Sequence, residues 1–386
     1  MKNPRDAVVV AYGRTPLARA NTGSFANLHP VEFGGQCLAG VLDRLPGLDR
    51  SLIDDVVVGC AMPEKKCFWN IGRLVAQRAG LPDSVTGVTV NRFCSSGLQA
   101  IDFAANAIKV GEMDIVCAGG VEYMTGMDMN PDVQYADEKL VEMKPDTYIS
   151  MGMTAENVAA QYNISRVEME QEAVESHAKA AAAQAAGKFK DEIIPIHAEI
   201  DGKDVLVTED EGIRPGTNLE SLAKLKPCFK EDGRVTAAIS SQMTDGAGFV
   251  VLMARETAEK LGYTPIARFV SFAVGGVPAG VMGLGPIKAV PKVMARTGLT
   301  VDDMDVIELN EAFASQMMAC IRDLHLPKEK VNPNGGAMAL GHPLGATGGV
   351  LSCKVLSELK RTGGKYGLVT MCIGGGQGAA GIYEME

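Results

Sequence analysis

A pattern in the first third of the chain recurs in its last third, and any fold must place both copies in equivalent surroundings. In the first copy Val88-Thr89-Val90 reads as a strand and Asn91-Arg92-Phe93-Cys94-Ser95-Ser96-Gly97 as a turn. Leu98, Ile101, Ala105 and Ile108 then repeat at helical spacing until Gly111, and a strand over 114–118 runs into Gly119-Gly120. In the second copy a glycine-rich loop, 334–349, leads into Leu351, Val355 and Leu359 at the same spacing, and a strand over 368–371 ends in Cys372-Ile373-Gly374-Gly375. Upstream, 55–59 and 305–309 occupy matching places in the two copies. This predicts a duplicated α/β unit. Strands alternating with crossover helices imply much parallel pairing, with ligands gathered where loops leave the carboxyl ends of the strands. Residues 121–238, between the copies, are polar and Met-rich, with an Ala-rich helix predicted around 176–186 and a turn at Arg214-Pro215-Gly216. This stretch reads as a large insertion, either a solvated arm or a lid over a long ligand.

Composition narrows the functions open to such a chain. Its 386 residues, 46% hydrophobic, suffice for two or three domain-sized units. Forty-four glycines against 5% aromatic residues favour close backbone approach over a bulky aromatic core. A net charge of −10 without a basic stripe excludes a nucleic-acid backbone as partner. No apolar stretch approaches the ~18 residues of a membrane span, and no signal peptide is visible, so a cytoplasmic setting is expected. Nine cysteines without a CxxC argue against a disulfide framework or a zinc cluster, and Cys37, Cys60 and Cys353 read as small buried filler. The glycine loop lacks the endings that cradle ATP or NAD, so no metal and no bound cofactor are expected.

Four polar groups fall at the carboxyl ends of predicted strands. Cys94 opens a helix, where the positive end of the helix dipole would lower a thiol pKa and favour a nucleophile. His342 lies among glycines that let a ligand approach, which suits a base, whereas His29, His177, His197 and His325 sit in ordinary contexts and receive no role. Cys372 ends an apolar strand before Gly374-Gly375-Gly376-Gln377-Gly378, whose free amides suit an oxyanion. Asn310 ends the run at 306–309 in the same way.

Together Asn91-Arg-Phe-Cys94-Ser-Ser-Gly-Leu-Gln99, Asn310-Glu-Ala-Phe313-Ala, Gly341-His342-Pro343-Leu-Gly-Ala-Thr-Gly348 and Cys372-Ile-Gly-Gly-Gly-Gln-Gly378 resemble the thiolase family, in the family's order and over essentially the whole chain. The resemblance implies two stacked halves, each a mixed five-stranded sheet between helices. The N-terminal half would be 1–120 plus 239–260, the C-terminal half 261–386, and 121–238 a CoA-binding loop domain. It implies Cys94 as the acylated nucleophile, His342 as its base and Cys372 as a second acid/base. Asn310 acting through a water, with His342, would hold the thioester oxygen. The amides of Cys94 and Gly374 would hold the acyl-enzyme oxyanion. Arg214 and Ser241 stand where the family contacts CoA, and Met151, Met282 and Phe313 where it lines the pantetheine and acyl pocket; Lys226 is a further phosphate candidate. Family members are dimers or tetramers, and association with other β-oxidation enzymes is an accompanying expectation.

Three stretches depart from the family pattern: Cys67-Phe68-Trp69, Ala238-Ile239 in place of Gly-Asn, and Ser150 where acetoacetyl-specific members tend to carry histidine. Ser150 and Arg92-Phe93 make the chain resemble the 3-ketoacyl-CoA branch, with CoA as co-substrate. The alternatives are an acetyl-CoA C-acetyltransferase and a non-catalytic acyl-CoA or lipid carrier on the same fold. A decarboxylating ketoacyl synthase fits the Cys/His/Cys/Asn set less well. Cys94 and Cys372, sharing one substrate, are also candidates for an oxidative disulfide.

Overall fold

Valine-rich runs buried on both faces form the inner strands. The computed structural model describes residues 2–130 and 133–386. Its strands are β1 (Ala7–Arg14), β2 (Ala18–Arg19), β3 (Asp55–Gly59), β4 (Thr86–Val90), β5 (Ile115–Glu122), β6 (Ile196–Ile200), β7 (Lys203–Val207), β8 (Thr244–Ala254), β9 (Ala267–Gly276), β10 (Val306–Leu309), β11 (Tyr366–Ile373) and β12 (Gln377–Met385). The first half orders them β4-β3-β5-β8-β1, the second β10-β11-β12-β9, so that β3, β5, β8 and β1 correspond to β10, β11, β12 and β9. β3 is parallel to β4 and β5, and β10 to β11; β8 and β12 run antiparallel to both their neighbours. Among the described residues the two sheets join only where Val8 and Val9 of β1 meet Arg268 and Ala267.

The second half has four strands, not the five that the resemblance implies. The place equivalent to β4 is held by a single parallel bridge between Val331 and Ile307. Pro333 has no N–H for a ladder, and Asn332 turns to φ +46°. The Asn332 side chain instead accepts from Leu309 N (2.9 Å) and donates to Leu309 O (2.8 Å), standing in for a strand neighbour.

Five layers result. The helices Ser96–Val110 and Thr347–Thr362 lie between the sheets, where Leu98, Ile101, Leu351 and Val355 share one core with Val57, Val250, Val369 and Met371. Helices Pro30–Leu42 and Ile71–Arg78 cover the outer face of the first sheet through Phe33, Leu38 and Val75. Helices Gly285–Thr297 and Ala314–Leu324 cover the second through Val290, Val293 and Met317. The strands β11 and β12 are joined by Gly374, Gly375 and Gly376, whereas the equivalent β5 and β8 are separated by residues 123–243. The Ala-rich helix of that insertion spans Arg166–Ala185, starting before the predicted 176 because Ser165 and Glu168 form a capping box.

The two central helices touch backbone to backbone. A Cβ on Gly348 would stand 2.1 Å from Leu98 N, whereas one on Gly276 meets nothing within 4 Å. Gly348→Ala is therefore expected to cost about 3 kcal/mol or more, or to abolish soluble folding, while Gly276→Ala changes stability by less than about 1 kcal/mol. Urea unfolding of both variants checks this, and equal midpoints would contradict the packing argument.

Candidate active site

The turn before the Ser96–Val110 helix is held by its own side chains. Asn91 Oδ1 accepts from Phe93 N (2.8 Å), and Ser96 Oγ accepts from Arg92 N (2.8 Å) while donating to Phe93 O (2.6 Å). These bonds hold Phe93 at φ +44° and set Cys94 in a short 3-10 turn that runs into the helix. Cys94 is only 8% exposed. Burial pushes its thiol up to about 11, against the hydrogen bonds from the amides of Gly374 and of Cys94 itself, which favour the thiolate. The sequence expectation of a lowered pKa is thus corrected: desolvation outweighs the amides, and the resting sulfur is a protonated thiol.

His342 has the hydrogen bonds of a base. Its Nδ1 lies 2.6 Å from Thr347 Oγ1, which itself donates to Pro343 O at 3.1 Å. A hydroxyl whose proton is spent on a carbonyl must accept from Nδ1–H, which leaves the lone pair on Nε2. Nε2 lies 3.3 Å from Asn310 Nδ2. Burial pushes the imidazole down to about 4, so it is neutral at pH 7. Asn310 Oδ1 is buried without a partner among the described residues, as suits a group awaiting a water or substrate.

Cys372 sits near the end of β11 and is wholly buried. Its thiol is raised by burial first and by Cys94 second, which puts the two sulfurs in one another's field. Gly374, two residues on, bonds Cys94; a Cβ there would lie 3.4 Å from Met151 Sδ and 3.8 Å from the Phe93 ring. Met282 and Phe313 are buried in the core against which Met151 packs. Ser241 N donates to Ala312 O (2.9 Å), beside the bridge between Ser240 and Phe313. Cys94, Gly374, Cys372, Met151 and Phe93 thus gather on one side, and His342 with Asn310 forms a hydrogen-bonded pair. Arg214 and Lys226 are exposed on the insertion. Ile239, in the departing Ala238-Ile239 stretch, is buried in the outer core.

Several supporting residues escaped the sequence reading. Glu122, the last residue of β5, is fully buried and accepts from Ala61 N (2.7 Å), Met62 N (3.2 Å) and Gly345 N (2.6 Å), tying the loop after β3 to the His342 loop. The one available signal was a lone carboxylate closing an apolar strand. Phe229 packs edge to face on Phe313 with centroids 6.1 Å apart. His177 accepts from Arg214 N at 3.1 Å and so anchors the Arg214 turn.

Residues 7–256 match the thiolase N-terminal domain family and 263–385 the thiolase C-terminal domain family. The chain is 47% identical to a 3-ketoacyl-CoA thiolase of Bacillus subtilis, covering 99% of this chain and all of that one. It is 45% identical to the peroxisomal 3-ketoacyl-CoA thiolase A of Mus musculus, over 98% and 91% of the two. Among solved structures, the dimeric peroxisomal thiolase of Saccharomyces cerevisiae superposes with TM-score 0.93 at 39% identity, covering 100% and 99% of the chains. An acetyl-CoA acetyltransferase of Bacillus anthracis gives 0.91 at 38%, covering 99% of each.

The lowered His342 pKa has a consequence for stability. Both states hold a neutral imidazole above the ordinary value of 6.5, but below it the unfolded chain binds a proton that the folded one refuses until about 4. Stability is therefore lost as pH falls through this window, by up to about 3 kcal/mol from this group. His177, lowered by burial and then by Arg214, acts in the same direction. Urea unfolding between pH 7 and 5 should show a flatter slope in His342→Gln than in the parent; an unchanged slope would mean that His342 titrates normally.

Proposed function

This chain belongs to the thiolase family, and on that premise we propose that it is a 3-ketoacyl-CoA thiolase, an acyltransferase that cleaves 3-ketoacyl-CoA with CoA to acetyl-CoA and a shortened acyl-CoA. The observation that carries the reading is the Cys94 sulfur bonded by the Gly374 amide, with the Cys372 thiol in its field. A neutral His342 held in one tautomer supplies the base. Burial pushes the thiol up and the imidazole down, so it disfavours a resting charge on either group. Proton transfer to Nε2 and attack of the sulfur on the 3-keto carbon therefore proceed together.

The carbon–carbon bond then breaks, and Cys372 protonates the departing acetyl-CoA carbanion. Cys372 next takes the proton of the incoming CoA thiol, whose sulfur displaces the acyl group from Cys94, and the released Cys94 sulfur takes its proton back from His342. The amides of Cys94 and Gly374 hold the oxyanion, and Asn310, through a water, with His342 holds the enolate oxygen; each such donor is worth about 3–4 kcal/mol. We assign CoA binding to 121–238 together with residues of the two halves: Arg214 of the insertion and Ser241 toward the nucleotide and pantetheine, Met151 of the insertion with Met282 and Phe313 around the pantetheine and acyl chain, and no other cofactor. Lys226, exposed on the insertion, is a further phosphate candidate.

Ser150 and Arg92-Phe93, and the 3-ketoacyl-CoA thiolases that the chain resembles at 43–47% identity, favour the 3-ketoacyl substrate. The likeness to the acetyl-CoA acetyltransferase supports the second reading, acetoacetyl-CoA synthesis. A homodimer is proposed from the dimeric yeast relative and from β4, an outer strand with one unpaired edge. Among the described residues no helix is long and apolar enough to cross a membrane.

Thiolysis of 3-ketoacyl-CoA substrates from four to sixteen carbons tests the reading. The parent should turn over and carry an acyl adduct on Cys94, and Cys94→Ser should lose about 10³-fold or more. Arg214→Ala should raise KM for CoA with kcat little changed. Preference for the four-carbon substrate alone would favour the acetyltransferase reading, and tight CoA binding without turnover would favour a carrier.

A further inference from the structure

The Cys67-Phe68-Trp69 stretch plays no part in the proposed reaction, yet it is built around a second pair of thiols. Phe68 and Trp69 stand 56% and 79% exposed, while Cys67 turns inward beside Cys60, the residue that follows β3. The two sulfurs and a Glu122 carboxylate oxygen all lie within 4.8 Å of one another. Cys60, expected as apolar filler, instead directs its sulfur to Glu122 Oε1 at 3.5 Å. A cation is poorly served here, because Oε1 already takes Cys60 and Met62 N, and Oε2 takes Ala61 N and Gly345 N. What remains is two neighbouring thiols in a dry site.

One turn of chain covers them. The 3-10 turn Lys65–Cys67 is otherwise exposed, and Lys65 at φ +50° and Trp69 at φ +72° strain the backbone on either side of Cys67, so that the turn opens locally more readily than the strands beneath it. Lys66 Nζ holds it closed through Tyr123 Oη at 2.9 Å. Opening swings Cys67 out while Cys60 stays fixed at the strand end. Because Cys67 belongs to the opening turn and Cys60 to the strand end, Cys67 is the attacking group.

We propose that Cys60 and Cys67 form a reversible intramolecular disulfide, a modification site separate from Cys94 and Cys372, with a low-molecular-weight disulfide as oxidant. The Cys67 thiolate attacks one sulfur of RSSR, whose S–S bond breaks, and the departing RS⁻ takes up the Cys67 proton. Cys60 then attacks the Cys67 sulfur of the mixed disulfide, and its proton leaves with the second RS⁻. Two protein thiols are oxidised, and one RSSR is reduced to two RSH. The bond withdraws the Cys60 donor from Glu122 and stiffens the Cys60-Ala61 backbone. A Cβ on Gly345, in the His342 loop, would stand 2.7 Å from Cys60 Cα and 2.5 Å from Ala61 N.

Lys65 and Lys66 lie between the two cysteines, so trypsin separates them unless a disulfide joins their peptides. The full chain is incubated with oxidised glutathione, alkylated under denaturing conditions and digested without reduction. The expected result is a linked Cys60–Cys67 peptide pair, with loss of both alkylated peptides and their return after reductant. Cys228, the exposed cysteine, reports that the oxidant reached the protein. Full alkylation of Cys60 and Cys67 in a sample whose Cys228 carries glutathione would overturn the proposal. So would an equal loss of Cys60 alkylation in Cys67→Ser, or a pairing of either residue with Cys94 or Cys372.

Discussion

The closeness of the two buried helices is the constraint on which the rest of this structure depends. Where Ser96–Val110 and Thr347–Thr362 begin, a Cβ on Gly97 would stand 2.8 Å from Gly345 O, one on Gly120 2.2 Å from the same oxygen, and one on Gly349 2.2 Å from Gly248 O. Any side chain there would push the helices apart. The same two helix starts carry the Cys94 turn and the His342 loop, so a gap opened by one methyl group would separate the proposed nucleophile from the proposed base. The high glycine content is thus a requirement of contact distance more than of turn geometry.

Buried carboxylates then fix the loops that the glycines bring together. Glu122 ties the loop after β3 to the His342 loop, and Glu311 accepts from Ser176 Oγ (2.7 Å), Asn332 Nδ2 (3.0 Å) and Met338 N (3.1 Å), binding the insertion to the second half. At the other end of the strands the duplication is visible in hydrogen bonds. Asp54 Oδ2 accepts from Asp114 N and Ile115 N, and Asp305 Oδ2 from Lys365 N and Tyr366 N. One ancestral solution appears twice there, whereas the carboxyl ends have diverged.

That asymmetry explains which parts were legible in the sequence. Strand runs such as 55–59, and the helices with Leu98-Ile101 and Leu351-Val355 spacing, follow from local periodicity. Cys94, His342, Cys372 and Asn310 stood out because glycines or strand ends flanked them. Glu122, Thr347 and His177 act through partners distant in sequence or through groups without a motif, and only the fold reveals what they touch. The missing fifth strand had a local cause, Pro333, but the Asn332 side chain that replaces it is a tertiary device. The sign of the Cys94 shift was unreadable for a related reason: a helix end is visible in sequence, whereas the desolvation that raises the thiol is set by the whole enclosure.

The proposed nucleophile, Cys94 held as a thiol, and the proposed base, His342 held neutral, look poorly matched until the substrate is considered. A resting thiolate–imidazolium pair would stabilise the ground state, and stabilisation of the ground state does not accelerate chemistry. Burial denies charge to both groups, while the Gly374 amide bonded to the Cys94 sulfur stays in place. As the sulfur attacks, negative charge passes from it to the carbonyl oxygen, and fixed amides can follow that transfer without reorganising. The dry enclosure that raises the resting thiol also strengthens those dipoles. The same burial that disfavours an idle thiolate therefore sharpens the site's preference for the transition state.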